Sequence, residues 1–210
     1  MKEFAKNHQL SRFSIFLAIF KILMLRYTGC YDISIGTYAA NRQKGEFSET
    51  MGFFINTLCL RTTFQDSFTF SDAIQTTAKT LVEALKNQNI PFEKVVSSVQ
   101  PKTLPGHHPL FSFAVLEQIS DVNFEQEPSA GLGPLDFYLQ YAYNGFGILE
   151  AFVYYDSSLF LESTIFSMTE HIKSLLEMAM DNSSVSILTP FVRAIDTHVH
   201  VSVVITESVE

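Results

Sequence analysis

Charge is scarce in this sequence. Only 17% of its 210 residues are charged, against ~25% in an average soluble domain. The net charge is −8, with no long basic or acidic run. Without a basic face a chain cannot neutralise phosphates, so nucleic acid is excluded as a partner. Cysteine is equally sparse. Cys30 and Cys59 are the two present, too few for a disulfide framework. Both flank apolar runs and read as buried thiols in a reducing compartment, the cytoplasm. No uncharged run reaches the ~18 residues of a membrane span. The apolar stretch 13–25 is interrupted by Lys21 and bounded by Arg12 and Arg26, and no small-residue cleavage site follows it. It reads as a buried helix, apolar nearly all round, and neither membrane nor signal peptide is expected. There is no GxSxG, P-loop or CxxC, no internal repeat and no low-complexity segment.

What is abundant is apolar surface. It makes up 47% of residues, enough for one large domain or one lobe of a bigger one. The periodicities predict an α/β layered lobe with a mixed sheet. A first helix spans about 2–27, with a break near 7–10, and stops at Gly29. Residues 32–38 and 53–64 read as strands. Thr69 and Asp72 form a capping box for a helix carrying Ile74, Ala78, Leu81 and Leu85 on one face. Pro91 opens a shorter helix over 92–99. A strand is predicted at 110–118, and strand runs at 137–143 and 148–155 flank the hairpin signal Asn144-Gly145. A last helix follows at about 162–180, with Asp156 capping the turn before it. The chain divides into a lobe at 1–190 and a tail at 191–210. In the tail, 199–205 reads as an added strand or a disordered end.

Four short motifs stand in order: Ile35-Gly36-Thr37-Tyr38-Ala39-Ala40-Asn41-Arg42, Met51-Gly52-Phe53-Phe54-Ile55-Asn56-Thr57-Leu58-Cys59-Leu60-Arg61, Asn87-Gln88-Asn89-Ile90-Pro91-Phe92-Glu93 and Pro109-Leu110-Phe111. Together with Arg26-Tyr27-Thr28-Gly29 they resemble segments of the condensation domains of nonribosomal peptide synthetases. The resemblance covers residues 1–190. It implies the C-terminal half of a chloramphenicol-acetyltransferase-like fold. It also implies a parent reaction in which an acceptor amine attacks a carrier-bound thioester to form an amide. The second run favours the condensation group over epimerisation relatives. Tyr38 stands in place of a family proline, Asn89 in place of an aspartate, and an RDxS segment is missing.

The resemblance also shows what to look for and not find. The family's HHxxxDG motif supplies a histidine that orients or deprotonates the amine, a task suited to a pKa near neutrality. Here His107-His108 is followed by Ser112 and Phe113 where aspartate and glycine would stand, and the pair falls at the family's RNPLF segment instead. No catalytic residue and no metal ligand set is assigned; His198 and His200 lack a third ligand nearby. The expectation is a C-terminal lobe, inactive alone, that needs an N-terminal condensation lobe and peptidyl or aminoacyl carrier proteins. It binds no cofactor directly, but the carriers' phosphopantetheine arm is implied. Asn56 and Thr57 are polar within an apolar strand; the resemblance implies that they line the tunnel floor, with Asn56 near the acceptor, and local backbone bonding explains them equally well. Arg42 and Arg61 are lobe-interface candidates, with Arg42 favoured to meet the motif's aspartate. Two other readings stay open: a non-catalytic module that binds a carrier or partner lobe, and an acyltransferase outside peptide synthesis.

Overall fold

The computed structural model describes residues 1–42, 50–52, 54–102, 106–118, 135–143, 149–190 and the backbone of 201–207. Helices α1 (Lys2–Asn7) and α2 (Arg12–Thr28) are separated at the expected break. Ser11 caps α2 by accepting a hydrogen bond from the backbone N–H of Ser14. Gly29 ends it in the left-handed conformation, where a missing Cβ removes the steric penalty. Then come β1 (Asp32–Ala39), β2 (Asn56–Thr63), α3 (Phe70–Lys86), α4 (Phe92–Val99) and β3 (Phe113–Glu117). β4 (Phe137–Tyr143), β5 (Leu149–Tyr155), α5 (Glu162–Asp181) and β6 (Val201–Glu207) complete the order.

The six strands lie in the order β2-β1-β3-β4-β5-β6. β1 is antiparallel to β2 and parallel to β3, β3 is parallel to β4, β4 and β5 run antiparallel, and β6 lies parallel to β5. The sheet is therefore mixed, as the alternating pattern predicts. Because side chains alternate across a strand, the sheet has two different faces. One carries Ile33, Ile35, Leu58, Leu60, Val115, Leu139 and Val153, which form the main core with α2, α3 and α5. The other carries Ala114, Leu116, Tyr138 and Tyr154, joined by Tyr38, Cys59 and Phe92. On that side α4 packs near β2. Every residue of α2 from Ser14 to Leu25 is buried, which accounts for its all-round apolar sequence. No helix among the described residues is long and apolar enough to cross a membrane.

Several boundaries move. The strand expected from 110 begins at Phe113, because His108 turns the chain first: its Nδ1 accepts from the backbone N–H of Leu110 and Phe111. The strand expected from 53 begins at Asn56; Phe53 lies outside the described residues. Pro91 is the residue before α4 rather than its first turn. Asp156 caps the turn before α5 as expected, its carboxylate accepting from the N–H of Ser158, and the N-cap of α5 itself is Leu161. Cys30 is exposed, contrary to the expectation of a buried thiol, since it follows the glycine that ends α2. Cys59 is half-buried. The tail does add a strand, at Val201–Glu207. His198, His200 and Asn144-Gly145 lie outside the described residues.

Candidate functional site

The four motifs converge in space. Gly36 in mid-β1 has no room for a side chain, because an added Cβ would lie 2.1 Å from Cε2 of Phe111. The Phe111 ring lies over that glycine, with His108 stacked on it at 3.7 Å between centroids and Phe92 beyond at 6.0 Å. Burial lowers the pKa of His108, in keeping with an Nδ1 that accepts two N–H groups. Asn56 opens β2 and points toward the end of α3. Its Nδ2 donates to the carbonyls of Gln88 and Ile90, each at 2.7 Å. One residue from each motif thus meets a residue of another. This knot of glycine, aromatic rings and one amide fixes α4 and the turn before it against the sheet. The sequence signal for it is the motif residues themselves, but their mutual contacts are invisible without the fold.

The four site candidates do not form one cluster. Asn56 pairs in register with Ala39, and Arg42 follows Ala39 by three residues, so both lie at one end of the β1–β2 pair. Thr57 is there too, opposite Tyr38 on the second face. Asn56 itself is on the first face, so its amide is committed to the α3–α4 turn. Arg42 braces the segment leading into β2: Nη1 donates to the Thr50 carbonyl at 2.7 Å and Nη2 to that of Gly52 at 3.2 Å. Its guanidinium lies over the Phe54 ring, 4.4 Å from the centroid. Arg61 is five residues further along β2, roughly 16 Å away at the usual strand rise. It makes a forked pair with Asp32, with Nη2 to Oδ2 at 2.6 Å. That pair holds the Asp32 carboxyl below its usual pKa.

Asp32 and Arg61 border a cavity of about 440 Å³ shared with Ser34, Cys59, Val95, Val99 and Leu110. Burial pushes the Cys59 thiol up, so it is a poor nucleophile. His107 comes within 3.8 Å of Asp136 at a half-exposed surface. This is a loop contact, and among the described residues no third group extends it into a relay. Among the described residues no group of three or more His, Cys, Asp or Glu side chains is placed to hold a metal.

Comparison with known proteins agrees with this geometry. The family model for the condensation domain matches residues 1–192. The chain is 32% identical over 206 residues to nonribosomal peptide synthetase TES of Alternaria alternata, covering 93% of this chain and 4% of that protein. It is 33% identical over 190 residues to nonribosomal peptide synthetase kk1B of Curvularia clavata, covering 86% of this chain and 2% of that synthetase. The fold matches a four-domain nonribosomal peptide synthetase, holo-AB3403 bound to AMP and glycine, with a TM-score of 0.77 at 22% identity. That alignment covers 88% of this chain and 16% of the other. The condensation domain of the monacolin K polyketide synthase MokA aligns with a TM-score of 0.73 at 22% identity, over 89% of this chain and 45% of that one. The chain thus spans a few per cent of its curated relatives and less than half of a solved condensation domain. With mixed sheet, motif knot and family match in agreement, this chain belongs to the condensation-domain family of nonribosomal peptide synthetases.

Proposed function

We propose that the chain is the C-terminal lobe of a cytoplasmic condensation domain. Its parent reaction is amide-bond formation between acyl or aminoacyl groups held as thioesters on carrier proteins. The observation that carries this reading is the knot of four motifs within a chain that covers 45% of a solved condensation domain. Residues 1–190 make up the lobe, and 191–210 are an addition to it.

The chemistry needs an amine to lose a proton as it attacks a thioester carbonyl, while the carrier's pantetheine sulfur leaves as a thiol. A histidine near neutrality serves the proton step, and that histidine belongs to the HHxxxDG motif of an N-terminal lobe. This lobe contributes position. Asn56 holds the α3–α4 turn, Thr57 presents a hydroxyl at the end of β2, and Arg42 anchors the segment before it. Of the two arginines, Arg42 stands at the end that carries the other candidates and is the better partner for the motif's aspartate. Arg61 is already paired with Asp32 and stands at the far end of the strand. Positioning alone is worth orders of magnitude in rate, but only when the reacting groups share a cleft.

The test is a condensation assay with loaded donor and acceptor carriers. The chain alone gives no product. The chain co-expressed with an N-terminal condensation lobe carrying HHxxxDG gives product, and Arg42→Ala or Thr57→Val lowers the rate. Turnover by the chain alone, abolished by a change within it, overturns the two-lobe reading. A stable carrier-protein complex without turnover in either form favours a binding module.

A further inference from the structure

In the sequence Lys21 only interrupts an apolar run, yet its setting in the fold is unusual. It lies at the middle of α2 with none of its surface exposed. Its side chain crosses the core to β2, where Nζ donates to the Leu60 carbonyl at 2.7 Å and to Oγ1 of Thr62 at 2.6 Å. Thr62 in turn donates to Oγ1 of Thr80 on α3 at 3.3 Å. A chain of three side chains thus links α2, β2 and α3. Among the described residues no carboxylate pairs with the amine. The charged residues of α3, Asp72, Lys79, Glu83 and Lys86, are exposed. On α5, His171, Lys173 and Glu177 are partly exposed and bonded or engaged elsewhere. Asp32 is on the opposite sheet face, paired with Arg61. Among the described residues, the titratable group whose charge bears on the amine is the Cys59 thiol, beside Leu60.

Burying an ammonium without a counter-charge is costly, whereas a neutral amine that donates two hydrogen bonds is not. Among the described residues β2 is also the edge strand of the sheet, with β1 as its lateral neighbour, so its attachment from beneath matters. We propose that Lys21 is a positioning residue for β2: its uncharged amine ties the strand to α2, and protonation of that amine loosens the tie. What this positions for catalysis, the end of β2 carrying Asn56 and Thr57, rests on the condensation-lobe reading; the proton-dependent tie itself does not.

Burial lowers the Lys21 pKa from 10.5 to about 7. The folded chain then releases a proton that the unfolded chain keeps up to its higher pKa, so stability rises with pH between those two values. The unfolding equilibrium constant should fall about tenfold per pH unit on this account. Cys59, Tyr141 and Tyr143, whose pKa values burial raises, act in the opposite sense once pH reaches the range of the free thiol and phenols. The informative window is therefore pH 7 to 8.5, on the order of one unit above neutrality. The experiment compares urea unfolding of the wild-type chain and Lys21→Met across that window, a change that keeps the apolar volume. Amide exchange of residues 57–62, corrected for intrinsic rates, is followed in parallel. The pH slope and the gain in β2 protection should vanish in the variant, and nitrogen NMR of wild-type Lys21 should show titration near neutrality. Titration of Nζ above pH 9, about its free value, or an equal slope in both chains, overturns the proposal. If Lys21→Met fails to fold, the NMR titration alone decides. Neither measurement involves a partner lobe, so failure of the condensation assay leaves this result standing.

Discussion

Gly36→Ala is the sharpest test of the motif knot. Gly36 has an ordinary strand conformation, so alanine is stereochemically acceptable there and only the collision with Phe111 is at stake. The new Cβ would lie 2.1, 2.4 and 2.6 Å from three atoms of the Phe111 ring. Contacts this short cannot be absorbed by a small shift. The ring is 5% exposed and is held by His108 and Phe92. Overpacking of this kind costs about 1–3 kcal/mol. Against it stands roughly 0.5–1 kcal/mol gained by replacing a flexible glycine within a strand. With the ring held in place the overpacking lies at its upper end, so the net loss should be about 2–2.5 kcal/mol. Phe111→Ala alone leaves a cavity and should cost about 3–5 kcal/mol. In the double variant the alanine Cβ enters the space left by the ring. The two losses then fall short of additive by about 1–3 kcal/mol, well above the error of a double-mutant cycle. The assay is urea unfolding by circular dichroism, with the m-value checked for constancy. Wild-type stability in Gly36→Ala, or additivity in the cycle, would refute the account of the knot.

Other outcomes follow from single contacts. Asn56→Ala removes both bonds to the Gln88 and Ile90 carbonyls and should cost about 1–3 kcal/mol, with amide exchange accelerated at 87–90 more than elsewhere. Thr69→Ala breaks the capping box, in which the Thr69 hydroxyl accepts from the N–H of Asp72 while the Asp72 carboxylate accepts from the N–H of Thr69; a loss of about 0.5–2 kcal/mol is expected in thermal unfolding. Cys30 should react with a thiol reagent at the rate of an open thiol and Cys59 far more slowly, and Cys30→Ser should remove the fast phase in stopped-flow. Arg61→Ala should leave the unfolding midpoint nearly unchanged, because both members of its pair are exposed and screened by salt.

Much of the fold is legible in the sequence because it is written in local signals. The 3.6-residue spacing of Ile74, Leu81 and their neighbours, the Thr69 cap and the Gly29 stop each act within a few residues. The helices they define appear within a residue or two of expectation. What the sequence hides is mostly non-local in cause. The local exception is His108, which delays β3 through bonds to its own turn that composition cannot show. Lys21 reads as an interruption, although its amine is satisfied by acceptors 39 and 41 residues away. Asn56 fits tunnel and backbone bonding equally well in sequence, and the structure brings its amide to two carbonyls 32 and 34 residues on. Arg61 is a candidate through the family resemblance, which suggests an arginine for the motif's aspartate; its partner Asp32 belongs to another strand.

The motifs themselves show why a family can be legible where its chemistry is not. A catalytic constellation needs few residues, and they can be supplied by another lobe. A sheet lobe of this kind needs many mutually dependent contacts. The glycine at 36 is fixed by the ring at 111, that ring by the histidine at 108 and the ring at 92, and the turn before 92 by the amide at 56. Each residue constrains the next across a large gap in sequence, so the set appears in order as short motifs. The same knot sets the end of β2, where Thr57 and Arg42 lie. A lobe that keeps it intact keeps the geometry a partner would need. On the two-lobe reading proposed above, supplying an HHxxxDG lobe opposite the unchanged chain should give activity, and supplying it opposite the Gly36→Ala chain should give less, although the reacting histidine is the same in both.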